Sequence, residues 1–180
     1  VSRIDARLVD RFKLRVFPQL IFHTPRLAQF IGRTSNFMAP DGAHVMFYGF
    51  KATLILPQTY GDFELEIPCR QSDWQPSMLS QVCSSSLNLI SSLEHLYIHE
   101  YKAIERDRPC WQDDIENIQW LELLRPFTTV KALYLSRGIT TRIIPALKEL
   151  VGGRATAVSP ALQSLFLGGS PPIRTCPGSH

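Results

Sequence analysis

Nothing in the 180 residues amounts to the unbroken apolar run of about 18 residues that a bilayer span requires, and the segment opening at Val1 has neither the basic nor the apolar region of a secretory leader. A soluble chain with no membrane partner is expected. Charge is also scarce: 19% of residues are charged and the formal net charge is only +3. Arg3, Arg7, Arg11, Lys13 and Arg15 form the densest basic cluster, but aromatics do not interleave it as single-strand binding would need, so no nucleic-acid partner is expected. The four cysteines, Cys69, Cys83, Cys110 and Cys176, show no CxxC spacing. They read as reduced thiols of an intracellular protein, cytoplasmic or nuclear. Enzyme signatures are missing too: there is no G-x-G-x-x-G, Walker loop, G-x-S-x-G elbow or H-E-x-x-H. His99-Glu100 begins like a zinc-protease motif, but Ala103 stands where the second histidine belongs, so neither metal nor cofactor is expected.

What is present is a 44% hydrophobic composition, enough for one core, and a repeat. Leu93-Glu94-His95-Leu96-Tyr97-Ile98, Val130-Lys131-Ala132-Leu133-Tyr134-Leu135 and Leu162-Gln163-Ser164-Leu165-Phe166-Leu167 share the template apolar-x-x-Leu-aromatic-apolar. Their central leucines are 37 and 32 residues apart, a period that fits one strand and one helix per unit. Weaker strand patterns occur at Phe12–Val16, His44–Phe47 and Phe63–Ile67. Only 20 residues separate Val45 from Leu65, with an extra strand pattern at Ala52–Leu56 between them, so an irregular first half is expected.

Helical patterns lie between the strands. Asp113 to Phe127 starts with a D-x-x-E cap at Asp113 and Glu116, and its apolar arc is Trp120, Leu121, Leu123, Leu124 and Phe127. Trp111 ahead of the cap and Trp120 within the arc both read as structural. A second helix runs from Pro76 to about Ser84 with Met78, Leu79, Val82 and Cys83 on one stripe. A third spans Arg142 to Val151, with Pro145 in its first turn and Gly152 as cap. Thr24 to Ile31 is a fourth candidate, with Thr24 as cap and Pro25 at the first position. The expected fold is therefore α/β: a leucine-rich-repeat-like solenoid, or horseshoe, with a mainly parallel curved sheet and helices on its convex side. Residues 1–167 form one domain in this reading, and 168–180, aperiodic and rich in glycine and proline, form a disordered tail.

Strand alternation puts His95, Tyr97 and His99 on one face, opposite Leu96 and Ile98. The residues between the inward apolar positions make a column: Arg15, Met46, Glu66, Tyr97, Tyr134 and Phe166. Its last three members form an aromatic ladder if the repeats stack. Tyr97, Tyr134, Phe166, His95 and His99 are thus the candidate partner-binding residues, on a concave sheet or its loop edges. An alternative is a loop-built, hydrolase-like enzyme using His95, His99 and Glu100, and a third is a truncated fragment without a role of its own.

The stretch from Trp111-Gln112-Asp113-Asp114-Ile115-Glu116 through Gln119-Trp120-Leu121-Glu122-Leu123-Leu124-Arg125-Pro126-Phe127 to Ser136 resembles a large family of fungal F-box-type proteins. The likeness extends to Thr24–Ile31, Cys69–Gln75 and Ile144–Gly153. The resemblance implies a leucine-rich-repeat-like region that follows an F-box and recruits targets to a cullin-type ubiquitin ligase. No F-box-like segment lies within this chain, so docking to an F-box adaptor is expected only where such a segment exists upstream. The last strand is left as an uncovered edge, open to association.

Overall fold

The computed structural model describes residues 11–15, 40–58, 61–69, 71–86, 88–101, 117–149 and 160–168. Among the described residues seven strands are formed where the period-two patterns lie: β1 (Arg11–Arg15), β2 (Gly42–Phe47), β3 (Lys51–Gln58), β4 (Gly61–Pro68), β5 (His95–Glu100), β6 (Ala132–Leu135) and β7 (Ser164–Leu167). They make one open sheet in the order β1-β4-β3-β2-β5-β6-β7. The architecture is mixed α/β. Four of the six pairings are parallel, while β2–β3 and β3–β4 are antiparallel.

The irregular first half is a hairpin inserted after β2. β3 and β4 turn back on each other around Gly61, whose φ of 119° lies in the region that glycine alone adopts without strain. The hairpin extends the sheet away from β5, and β1 adds in parallel to its far side. Chain order therefore fails as a guide to sheet order here: β1 does not neighbour β2.

From β2 to β7 a backbone pattern recurs. The carbonyl of Asp41 accepts from the amides of Glu94 and His95, that of Glu94 from Lys131 and Ala132, and that of Lys131 from Gln163 and Ser164. At the other end of the strands Tyr101, Ser136 and Gly168 donate to Phe47, Ile98 and Leu135. Each added strand thus meets the one before it in the same register. A Glu94–Lys131 ion pair at 2.6 Å accompanies this seam, but both side chains are about half exposed. Solvent screening leaves such a pair with little net effect, so Glu94→Gln is expected to melt within experimental error of the wild type in a calorimetric scan.

Among the described residues three α-helices pack on one side of the sheet: α1 (Gln75–Ser86), α2 (Asn117–Leu124) and α3 (Arg137–Glu149). α1 buries Leu79, Val82 and Cys83, and α2 buries Trp120, Leu123 and Leu124, as their stripes predict. These meet the inward residues of the strands, among them Val45, Phe47, Leu54, Leu65, Leu96, Ile98, Leu133 and Leu135, in one apolar cluster. Asp113, Glu116 and Trp111 lie outside the described residues, as do the Thr24–Ile31 pattern, Gly152, Cys110, Cys176 and 169–180. Cys69 and Cys83 are buried free thiols, and burial pushes that of Cys83 up to about 12.

α3 departs from expectation. It starts at Arg137, one residue past β6, so Pro145 sits in its interior rather than in its first turn. The carbonyl of Ser136 accepts from the amides of Ile139 and Thr140, which starts the helix immediately at the strand end. Ile139, Ile143, Ala146 and Leu147 are buried on one face, and this packing offsets the hydrogen bond that proline cannot donate.

Candidate functional site

The face opposite the helices carries every second residue of each strand. One row of paired residues crosses all seven strands: Lys13, Glu64, Ile55, His44, Tyr97, Tyr134 and Phe166. The next row holds Arg15, Glu66, Thr53, Met46 and His99. The column drawn from the sequence therefore mixes two rows. Tyr97, Tyr134 and Phe166 do adjoin one another, but Arg15, Glu66 and Met46 belong one row further along, in line with His99.

The aromatic ladder has a fourth ring that the repeat template missed. His44 stacks on Tyr97 at 4.6 Å between centroids and 10° between planes, Tyr97 on Tyr134 at 4.3 Å and 13°, and Tyr134 on Phe166 at 4.5 Å and 6°. Adjacent strands stand about 4.8 Å apart, so flat rings at equivalent positions meet at stacking distance and need no rearrangement. A signal for His44 was present. Asp41-Gly42-Ala43-His44-Val45, Glu94-His95-Leu96-Tyr97-Ile98, Lys131-Ala132-Leu133-Tyr134-Leu135 and Gln163-Ser164-Leu165-Phe166-Leu167 share the pattern polar, any, apolar, ring, apolar. The alanine in place of leucine hides it.

Exposure rises along this row. Tyr97 and Tyr134 are half-buried, whereas Phe166 is 46% exposed. His95 lies over the edge of the row, 6.2 Å from Tyr134. His99 is buried, 5.8 Å from His44 and 6.4 Å from Tyr97. Burial, together with the neighbouring His44, lowers the His99 pKa to about 4, and burial also lowers that of His44 against the pull of Asp62. Both imidazoles are therefore neutral at physiological pH. Nδ1 of His95 and Nε2 of His99 are buried and find no hydrogen-bond partner among the described residues.

At the β1–β4 end the same face is ionic. Glu66 accepts from Lys51 at 2.6 Å and from Arg15 Nε at 2.7 Å, and pairs with Lys13 at 2.9 Å; Lys13 also reaches Glu64 at 3.0 Å. Burial alone would raise the Glu66 carboxyl, but the three cations overrule it and hold the pKa at about 2. Hydrogen bonds that Lys13 donates to Glu66 and then to Glu64 correspondingly raise its own pKa.

The arrangement does not assemble the hydrolase-like set. His95 and His99 are four residues apart on an extended strand, which separates their Cα atoms by about 13 Å. Glu100 alternates to the helix side with Leu96 and Ile98, and its amide donates to Ser136 Oγ. Among the described residues no group of three or more His, Cys, Asp or Glu side chains is placed to hold a metal ion, and no helix is long and apolar enough to cross a membrane. No family model matches the chain, and comparisons with curated proteins and with solved structures return no significant match.

Proposed function

We propose that this chain is a non-enzymatic protein-recognition scaffold whose partner lies along the sheet face opposite the helices. The observation that carries this reading is the stacked row His44–Tyr97–Tyr134–Phe166, whose outer end is open to solvent. Rigid rings give a partner a large contact area at little cost in side-chain entropy. A neutral His44 extends that surface without placing a charge in it. In this reading the units from β2 to β7 are leucine-rich-repeat-like solenoid turns, supported by the recurring backbone register, and the inserted hairpin caps one end. The sequence resemblance adds the role: the target-binding region of an F-box-type ubiquitin-ligase adaptor, acting in the cytoplasm or nucleus, with ligase docking supplied by an upstream F-box.

Comparative capture tests it. The chain and its Tyr97→Ser/Tyr134→Ser variant are immobilised, and proteins retained from the source cell are compared by quantitative mass spectrometry. The variant is expected to keep the wild-type circular dichroism and to lose the specifically retained proteins at least tenfold. The full-length gene product is expected to bring down an adaptor and a cullin as well. Equal retention by a folded variant would remove the aromatic row from the interface; an unfolded variant would make it core.

A further inference from the structure

Four side chains on the face opposite the helices stand at the corners of one square on the paired strands β2 and β5. His44 lies opposite Tyr97 and Met46 opposite His99, which makes His44 and His99 diagonal neighbours. Strands about 4.8 Å apart, with a rise of about 3.3 Å per residue, put the backbones of such a diagonal pair about 8 Å apart. The two imidazoles lean together across the square: their ring centroids are 5.8 Å apart and their planes 22° apart. His99 is only 9% exposed, and its buried Nε2 finds no hydrogen-bond partner among the described residues. Met46 occupies the corner between the two histidines, and its sulfur accepts from the Tyr48 hydroxyl at 3.8 Å. We infer that His44, Met46 and His99 form a binding site for a single cuprous ion.

The spacing suits chelation. An imidazole nitrogen ligates at about 2.0–2.1 Å and lies about 1.1 Å from the ring centre, so two imidazoles on one ion have centroids up to about 6.4 Å apart. The observed 5.8 Å falls inside that limit. Each ring reaches the ion by turning about χ2, a broad torsion whose axis runs close to the ring centre, so the strands need not move. Methionine is unbranched with three rotatable bonds, and the thioether of Met46 can swing over the same square.

The donor set selects the ion. Ligating imidazoles are neutral, and so is a thioether. Glu66, on the same row, is separated from Met46 by Thr53 and is engaged by Lys13, Arg15 and Lys51. Magnesium and calcium require oxygen ligands, and a zinc ion would bring two charges into a half-buried face that offers no anionic ligand among its described residues. Cu(I) carries one charge and favours thioether sulfur beside imidazole. Methionine stands outside the set of His, Cys, Asp and Glu side chains that yields no metal cluster among the described residues. The site is independent of the protein partner proposed above.

Anaerobic titration with Cu(I) tests the inference, on the intact chain carrying isotope-labelled methionine methyls and histidine rings. Thiols also bind Cu(I), so the titration is carried past their saturation. In nuclear magnetic resonance spectra the Met46 methyl and the His44 and His99 ring nitrogens are expected to shift together to one end point, while Zn(II) at the same concentration leaves the Met46 methyl unmoved. Met46→Leu nearly conserves volume and keeps every thiol. Competition against a chromophoric Cu(I) chelator is expected to show this site weakened at least tenfold in that variant. Unshifted Met46 and histidine resonances in the copper-saturated wild type, a Met46 shift with Zn(II), or equal Cu(I) uptake by a folded Met46→Leu would overturn the proposal. The resonance measurement needs no variant, so it decides the matter if Met46→Leu fails to fold.

Discussion

Trp120→Ala is expected to lower the stability of the fold by about 3–5 kcal/mol, the range for deleting a fully buried large aromatic side chain. Trp120 is the largest wholly buried side chain among the described residues. It lies on α2 and meets Phe47 edge to face, with centroids 5.8 Å apart and planes at 90°. Phe47 closes β2, and β2 is the strand on which the two halves of the sheet meet, antiparallel to β3 on one side and parallel to β5 on the other. The cavity left by alanine would open beneath that junction, where neighbouring strands are held by hydrogen bonds on both edges and cannot collapse into the space. Total stability of a domain this size is about 5–15 kcal/mol, so the variant should lose between about a fifth and all of the wild-type urea midpoint. Trp120→Phe keeps the edge-to-face contact and is expected to recover part of the loss. Urea denaturation followed by circular dichroism measures both; a loss below about 1.5 kcal/mol for the alanine variant would mean that the junction is not carried by this contact.

The parts of this structure that were legible in the sequence are those where local pattern and neighbour relation coincide. In β5, β6 and β7 the template fixes which residues face inward, and each strand pairs with the next in chain order, so Leu96, Leu133 and Leu165 fall on one row, as do Tyr97, Tyr134 and Phe166. In the first half the same alternation correctly assigns faces, but alternation has no memory of which strand lies alongside. The hairpin of β3 and β4 reverses the direction of growth, and β1 reaches the far edge through a crossover that period-two reading cannot locate. A register error of two residues leaves every side chain on its proper face. That is why Met46 could be set beside Tyr97 without any conflict in burial, and why His44 was overlooked. The start of α3 was hidden for another reason: a single residue, Ser136, separates strand from helix, and Pro145 in the sequence looked like a first-turn residue because proline is costly elsewhere.

Acidification is expected to weaken the fold in two separate steps, the upper from His99 with His44 and the lower from Glu66, all on the sheet face opposite the helices. His99 has a folded-state pKa of about 4 against 6.5 for the free side chain. Between those values the unfolded chain binds a proton that the folded chain refuses, so stability is full above pH 6.5, falls as pH drops toward 4, and loses no more to this group below that. The loss from His99 is about 2 kcal/mol once partial solvent access is allowed for, and His44, lowered in the same direction, adds to it. Glu66 acts lower down. Its pKa is about 2 when folded and 4.5 otherwise, so the stability contributed by its three cations is present above pH 4.5 and disappears as pH falls through 2. His99→Gln removes the larger titrating ring and should reduce the fall of the urea midpoint between pH 6.5 and 4 to the part that His44 contributes, while leaving the lower step in place. Glu66→Gln should do the reverse, and should also lower stability at neutral pH, because Lys51, only 18% exposed, is left without the carboxylate it donates to. The aromatic and ionic halves of the sheet face would then titrate independently. A single step abolished by either substitution would instead show that His99 and Glu66, on the same row but separated by Thr53 and Met46, respond as one unit.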